Sequence, residues 1–174
     1  MEARAKLLGH PIHQMLVVLP LGLLSGAVIF DLLHLATGGR EWATISYWLI
    51  PVGVLTGLVA ALFGIADWTK IPRSTRAKSV GTRHGLGNTL VVLLFLASWL
   101  LRGDPVAAPG AVAIVLSLAG GVLAMVTGWL GGELVARLGV GVDDGAHLDA
   151  PSSLSGEPAA GLPERAKRAP TARR

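Results

Sequence analysis

Four stretches of this chain lack the polar residues that would let them face water: about Met15 to Leu35, Ile45 to Ala66, Leu86 to Leu101 and Ala111 to Leu130. Their apolar residues run on without the alternation of a strand. Three reach the roughly 20 residues an α-helix needs to cross about 30 Å of hydrocarbon. The third reaches a similar length if its helix starts near Thr82, which puts His84 in its first turn. Lipid tolerates only helices or closed barrels. The pattern therefore predicts an all-α fold, an antiparallel bundle of four transmembrane helices over about residues 12–36, 44–67, 82–102 and 111–132. This bundle fills residues 1–142. From Asp143 onward the chain turns to Ala, Pro, Ser, Gly and charge, a composition that buries too little apolar surface to offset its ordering entropy. Residues 143–174 are expected to be a disordered tail, with Arg165, Lys167, Arg168, Arg173 and Arg174 placed to touch anionic headgroups.

Composition agrees with this pattern: 52% of the 174 residues are hydrophobic and only 15% are charged. The absence of cysteine excludes disulfides, iron–sulfur clusters held by this chain and thiol chemistry. A pI near 10.1 raises the question of nucleic acid, but the basic residues sit where a membrane protein places them. Arg4 and Lys6 precede the first segment, and Lys70, Arg73, Arg76, Lys78 and Arg83 lie between the second and third. The two opposite loops hold only Arg40 and Arg102. This asymmetry predicts N- and C-termini on the cytoplasmic side and no nucleic-acid partner. Trp42, Tyr47, Trp48 and Trp99 form one interfacial belt, and Trp68 and Trp129 the other. The first segment is too long for a signal-peptide core and lacks a small-residue cleavage site, so it reads as a retained helix.

Glycines recur at four-residue spacing: Gly22 and Gly26, Gly53 and Gly57, Gly128 and Gly132. In lipid such pairs mark helix–helix faces, within one bundle or between copies in a homo-oligomer. Pro20 and Pro51 each remove a donor inside a helix and predict local kinks.

The alternating helices gather unusual side chains at the cytoplasmic end: His10 and His13, Asp67, His84 with Asn88 one turn on, and Glu133. Ionisable groups at membrane depth are costly and face the protein interior. Three readings of the cluster stay open. It is a hydrogen-bonded belt, or a proton or solute path, or a metal or haem site. In the last, His10 or His13 faces His84, and Asp67 or Glu133 adds an oxygen ligand for a transition metal. Near the other end Asp31 and His34, three apart, share a helix face and are expected to bond to each other as a satisfied interfacial pair, with an outer proton port as the functional alternative. No nucleophile with its base, phosphate loop or paired-carboxylate site is present, so hydrolytic chemistry is unsupported.

The ordered set Gly9-His10-Pro11-Ile12-His13, Pro20, Asp31, Gly64-Ile65-Ala66-Asp67-Trp68, His84 with Asn88, and Gly131-Gly132-Glu133-Leu134-Val135 leading to Gly139-Val140-Gly141-Val142-Asp143 resembles one bacterial membrane family. It is the family of uncharacterised proteins catalogued as domain of unknown function 2231, and the resemblance covers about residues 7–143. It implies the bacterial inner membrane. Some members of that family continue into a Rieske-type domain, which implies electron transfer and a redox protein at the cytoplasmic face. This chain departs from the pattern at Gln14, often proline there, and at Glu133 and Leu138, often histidines. The expectation is a small redox-associated membrane subunit, not an enzyme by itself. Haem b or a metal is held by His10, His13 and His84, with Asp67 as a further metal ligand and Asn88 and Glu133 as orienting groups. The alternative is a non-catalytic membrane component or a proton/solute carrier.

Overall fold

The computed structural model describes residues 1–103 and 107–161; the five basic residues from Arg165 on lie outside the described residues. A two-residue antiparallel pairing, β1 (Lys6–Leu7) with β2 (His10–Pro11), opens the chain. Leu8 and Gly9 turn between them at φ 51° and 86°, the double left-handed conformation of a type I′ hairpin. Five helices follow: α1 (Ile12–Leu16), α2 (Val18–Thr37), α3 (Arg40–Lys70), α4 (Arg76–Leu100) and α5 (Ala111–Ala136). α1 and α2 make one span, Ile12–Thr37, so four spans are long and apolar enough to cross a membrane.

The break at Val17 has a local cause. Pro20 has no N–H for the carbonyl four residues back, so the ladder loosens one turn before it. Pro51 sits inside α3 without dividing it. α2 ends at Gly38, whose φ of 70° lets its N–H bond back to the His34 carbonyl at 2.8 Å. α4 starts at Thr75, whose hydroxyl accepts from the Lys78 N–H at 3.2 Å.

The helices form two hairpins, α2 with α3 and α4 with α5, packed against each other. Their common core is Leu24, Ala27, Ile50, Val54, Val91 and Phe95, with Ile50 and Phe95 fully buried. Leu55, Leu62, Met125 and Trp129 point outward, each more than 60% exposed, as side chains that meet lipid tails do. The expected glycine faces divide. Gly26, Gly53 and Gly57 meet Leu49, Leu24 and Pro20 inside the bundle, whereas Gly22, Gly128 and Gly132 meet nothing within 4 Å.

The N-terminus lies at one end of the bundle, the near end, and the loops after α2 and α4 lie at the opposite, far end. Far-end charge departs from expectation. Arg102, counted above as a loop residue, is buried and clamps Asp31 with two bonds, Nη1 to Oδ1 at 2.9 Å and Nη2 to Oδ2 at 2.6 Å. The expected Asp31–His34 pair does not form; His34 Nδ1 lies 2.9 Å from the Gly39 carbonyl oxygen. An arginine fork is the better partner for a carboxylate that has lost water.

Residues 143–161 carry no helix or strand, but they form turns against the N-terminal hairpin. Lys6 Nζ donates to Asp143 and, at 3.0 Å, to Glu2, while the N-terminal ammonium lies 3.6 Å from Asp144.

Two predictions follow from packing and charge. A Cβ on Gly53 would lie 2.6 Å from Leu24 Cδ2, whereas one on Gly22 meets open space. Gly53→Leu is expected to lower stability by about 1–3 kcal/mol through overpacking, and Gly22→Leu to have little effect. Equal melting of the two variants in detergent would remove Gly53 from the interface. The second concerns Lys6, whose pKa is raised above its usual 10.5, chiefly by the Asp143 hydrogen bond, which outweighs the opposing effect of burial, with a lesser contribution from Glu2. A raised base pKa stabilises the folded contact below 10.5 and loses that contribution as pH climbs through the raised value. A fluorophore on Leu154→Cys should therefore keep high anisotropy through neutral pH and lose it only above about 10.5. Asp143→Asn should give low anisotropy throughout, and a flat high profile in that variant would dismiss the tether.

Candidate functional site

The near end brings two of the three expected histidines together. His13 lies in α1 and His84 in the third turn of α4, with ring centroids 6.4 Å apart and planes at 87°. Each ring is held by the helix that follows its own in the same hairpin. His13 Nδ1 lies 2.8 Å from the Ala60 carbonyl oxygen of α3, and His84 Nδ1 lies 2.9 Å from the Thr127 carbonyl oxygen of α5. A carbonyl only accepts, so both Nδ1 atoms carry the proton and both Nε2 atoms are left basic. One turn beyond each carbonyl stands a glycine that makes room for the ring. A Cβ on Gly64 would lie 2.9 Å from His13 Cε1, and one on Gly131 would lie 3.1 Å from His84 Cε1.

Asn88 supports this arrangement. Its Oδ1 accepts from Thr127 Oγ1 at 2.9 Å, and its amide nitrogen lies 3.1 Å from His84 Nε2 and 3.4 Å from Nδ1. A donor nearly equidistant from both ring nitrogens lies against the ring rather than along the Nε2 lone pair. His13 Nε2 has no hydrogen-bond partner among the described residues.

The remaining expected members are elsewhere. His10, exposed on β2, has Nε2 3.3 Å from Ser153 Oγ. Asp67 Oδ1 accepts from the backbone N–H groups of Arg4 at 2.6 Å and Ala5 at 3.4 Å, tying down the N-terminal segment. Glu133 accepts from Arg76 Nη2 at 2.6 Å. Among the described residues no three His, Asp or Glu side chains stand close enough to share a metal ion, so the set His10, His13, His84 and Asp67 is not gathered. Asp31 and His34 belong to the far end. Two cavities of about 310 and 270 Å³ lie between the N-terminal hairpin and residues 141–159, and neither is lined by His13 or His84.

Sequence reasoning missed three contributors. Thr127 looks like an ordinary helix residue, and only the position of His84 one helix away gives its carbonyl a role. Ala60 is the same case for His13. Arg102 read as a loop charge because its partner lies 71 positions earlier, where no local pattern reaches.

The arrangement offers two neighbouring imidazoles, each oriented by a hydrogen bond from Nδ1 to a helix carbonyl. Among curated proteins and among solved structures, nothing matches this chain. A family model described as a predicted membrane protein, DUF2231, matches residues 9–144, from the turn of the N-terminal hairpin past the tether at Asp143. The match covers the whole bundle and the histidine pair within it, and the chain belongs to that family of membrane proteins.

Proposed function

We propose that this protein is a small redox-associated membrane component whose working part is the His13–His84 pair, holding one iron, as haem b, through the two Nε2 nitrogens. The observation that carries this reading is the pair's geometry. Ring centres 6.4 Å apart with planes at 87° set the two imidazoles edge to face at one end of the bundle, where both would be within reach of one iron. Protons fixed on Nδ1 by the Ala60 and Thr127 carbonyls leave Nε2 as the ligand atom.

A donor set of two imidazoles suits a haem iron, whose other four ligands come from the macrocycle, and suits a bare transition ion poorly. Gly85, Gly128 and Gly132 adjoin His84, Thr127 and Gly131 in sequence, and a Cβ at any of them would meet nothing within 4 Å. If bound by the pair, haem would supply one-electron transfer, and the chain's own part would be to fix both imidazoles. The count of Lys and Arg supports an N-terminus on the cytoplasmic side of a bacterial inner membrane, which puts the pair within reach of a soluble redox partner there.

The proton- or solute-carrier alternative needs a polar route from this pair to Asp31. Leu24, Ala27, Ile50, Val54, Val91 and Phe95 fill the intervening middle of the bundle, which favours a closed component over a conduit.

Absorption spectroscopy and iron analysis of protein purified from cells supplied with haem precursors test the proposal. A Soret band with one iron per chain is expected, lost in His13→Ala and in His84→Ala and retained in His10→Ala. Pure protein without stoichiometric iron sinks the proposal, and so does a band that survives both substitutions.

A further inference from the structure

Residues at a fixed offset in sequence meet each other in space. His13 and His84, 71 positions apart, face one another at the near end. Asp31 and Arg102, also 71 apart, form the buried pair at the far end. Leu24 and Phe95, again 71 apart, both lie in the core, and each presses on a glycine of the following helix, Gly53 and Gly120 respectively. Those glycines are 67 positions apart. So are Ala60 and Thr127, which hold the two imidazoles, and Gly64 and Gly131, which face them. The change from 71 to 67 means that the first hairpin is longer by about one helical turn between equivalent points.

Two halves related by a twofold bring equivalent residues together only on the axis. His13 with His84 and Asp31 with Arg102 therefore mark two points of one axis that runs along the bundle, the arrangement of parallel repeats about the membrane normal. Of these six pairs only His13/His84, Gly53/Gly120 and Gly64/Gly131 are identical, so a comparison of side chains alone hides the repeat.

We propose that the chain is two equivalent helical hairpins fused in tandem, and that Asp31 and Arg102 are positioning residues that set the spacing of His13 and His84 from the opposite end of the axis. Asp31 lies 18 residues beyond His13, and Arg102 lies 18 beyond His84, about 27 Å along a helix. Between them the core cluster of both hairpins forms a fulcrum. Two stiff hairpins on such a fulcrum move at both ends together, so parting the far end changes the near-end gap.

The far end also carries buried side-chain donors without partners among the described residues: Ser46 Oγ, Ser117 Oγ, Trp99 Nε1 and Arg102 Nε. Unmet donors favour admission of water and hence separation of the helices. The Asp31–Arg102 fork opposes it. Opposite charges on the axis also select the partner, because like halves of two chains would set Asp31 against Asp31. The bearing of this latch on iron binding rests on the function proposed above, whereas the spacing itself is measurable without any bound group.

The chain has no cysteine, so His13→Cys with His84→Cys in the full-length protein gives a unique thiol pair in the membrane. Its yield with a short bifunctional thiol reagent, read by mass spectrometry, reports the near-end spacing. Asp31→Arg or Arg102→Asp alone, placing like charges on the axis, is expected to reduce that yield severalfold. The reversed double variant, D31R with R102D, is expected to restore it, because equivalent positions can exchange their charges. Unchanged yield in membrane-inserted single variants overturns the inference, as does a reversed double no better than either single. The same charge variants with both histidines intact are assayed for iron. Cross-linking that follows the charges without any iron bound leaves the latch standing and removes the iron. Iron that is bound regardless of the charges, with unchanged cross-linking, does the reverse.

Discussion

A polar group inside hydrocarbon has no water to turn to, and the arrangement of this bundle follows from that constraint. Helical backbones satisfy themselves, which leaves the side chains that must find partners on other helices. Asp31 and Arg102 use two parallel bonds. Ser98 donates to the Ala113 carbonyl at 2.6 Å and accepts from Arg102 at 3.3 Å, so the far end of α4 is tied to both α2 and α5. At the near end the imidazoles take carbonyl oxygens that already belong to helices, using the second lone pair of each. The polar groups thus bind helices to one another. Apolar contact does so only weakly, since lipid tails offer a leucine much the same surroundings.

That weakness explains where the glycines stand. Dispersion is worth about 0.1–0.2 kcal/mol per atom pair and fades within an ångström of optimal distance, so helices in lipid gain from closing every gap. Leu24 fits into the space left by Gly53, and Phe95 into that left by Gly120. Gly64 and Gly131 serve a polar end instead, since a methyl group at either would push an imidazole off its carbonyl. Packing glycines and site glycines therefore have one cause, the need for a side chain of one helix to reach the backbone of the next.

The fold was legible in the sequence because the membrane imposes length and polarity on each span, and both are local properties of the chain. The meeting of His13 with His84 was legible too, from the alternation of four spans, which puts both near one membrane face. Side-chain partners were not. Asp67 and Glu133 stand at the right depth, but the backbone amides of Arg4 and Ala5 capture one and Arg76 the other. A carboxylate at a membrane edge takes whichever donor lies in reach, and hydropathy carries no information about it. His10 is lost to the cluster for a geometric reason. The turn at Leu8 and Gly9 puts it on a strand, so its three-residue distance from His13 is not the one-turn spacing of a helix. Arg102 was misread because positive charge was counted by position in a loop, while burial depends on a partner 71 residues away.

The buried ion pair calls for more than stability as its reason. Replacing such a pair by well-packed apolar residues is often neutral or stabilising, whereas leaving one charge alone costs about 3–5 kcal/mol. An apolar far end would thus hold these helices together at no greater cost, without the Arg102 Nε, Ser46 Oγ, Ser117 Oγ and Trp99 Nε1 that lack partners among the described residues. What apolar contact does not supply is direction. Two leucines on an axis accept either half of either chain in several registers, while a two-pronged guanidinium and a carboxylate accept one partner in one orientation. The near end differs, since the two imidazoles meet only edge to face and each is anchored to a carbonyl of its own hairpin, so their spacing follows how the hairpins are held. At the far end a fork that tolerates little misalignment supplies the registration that apolar contact does not.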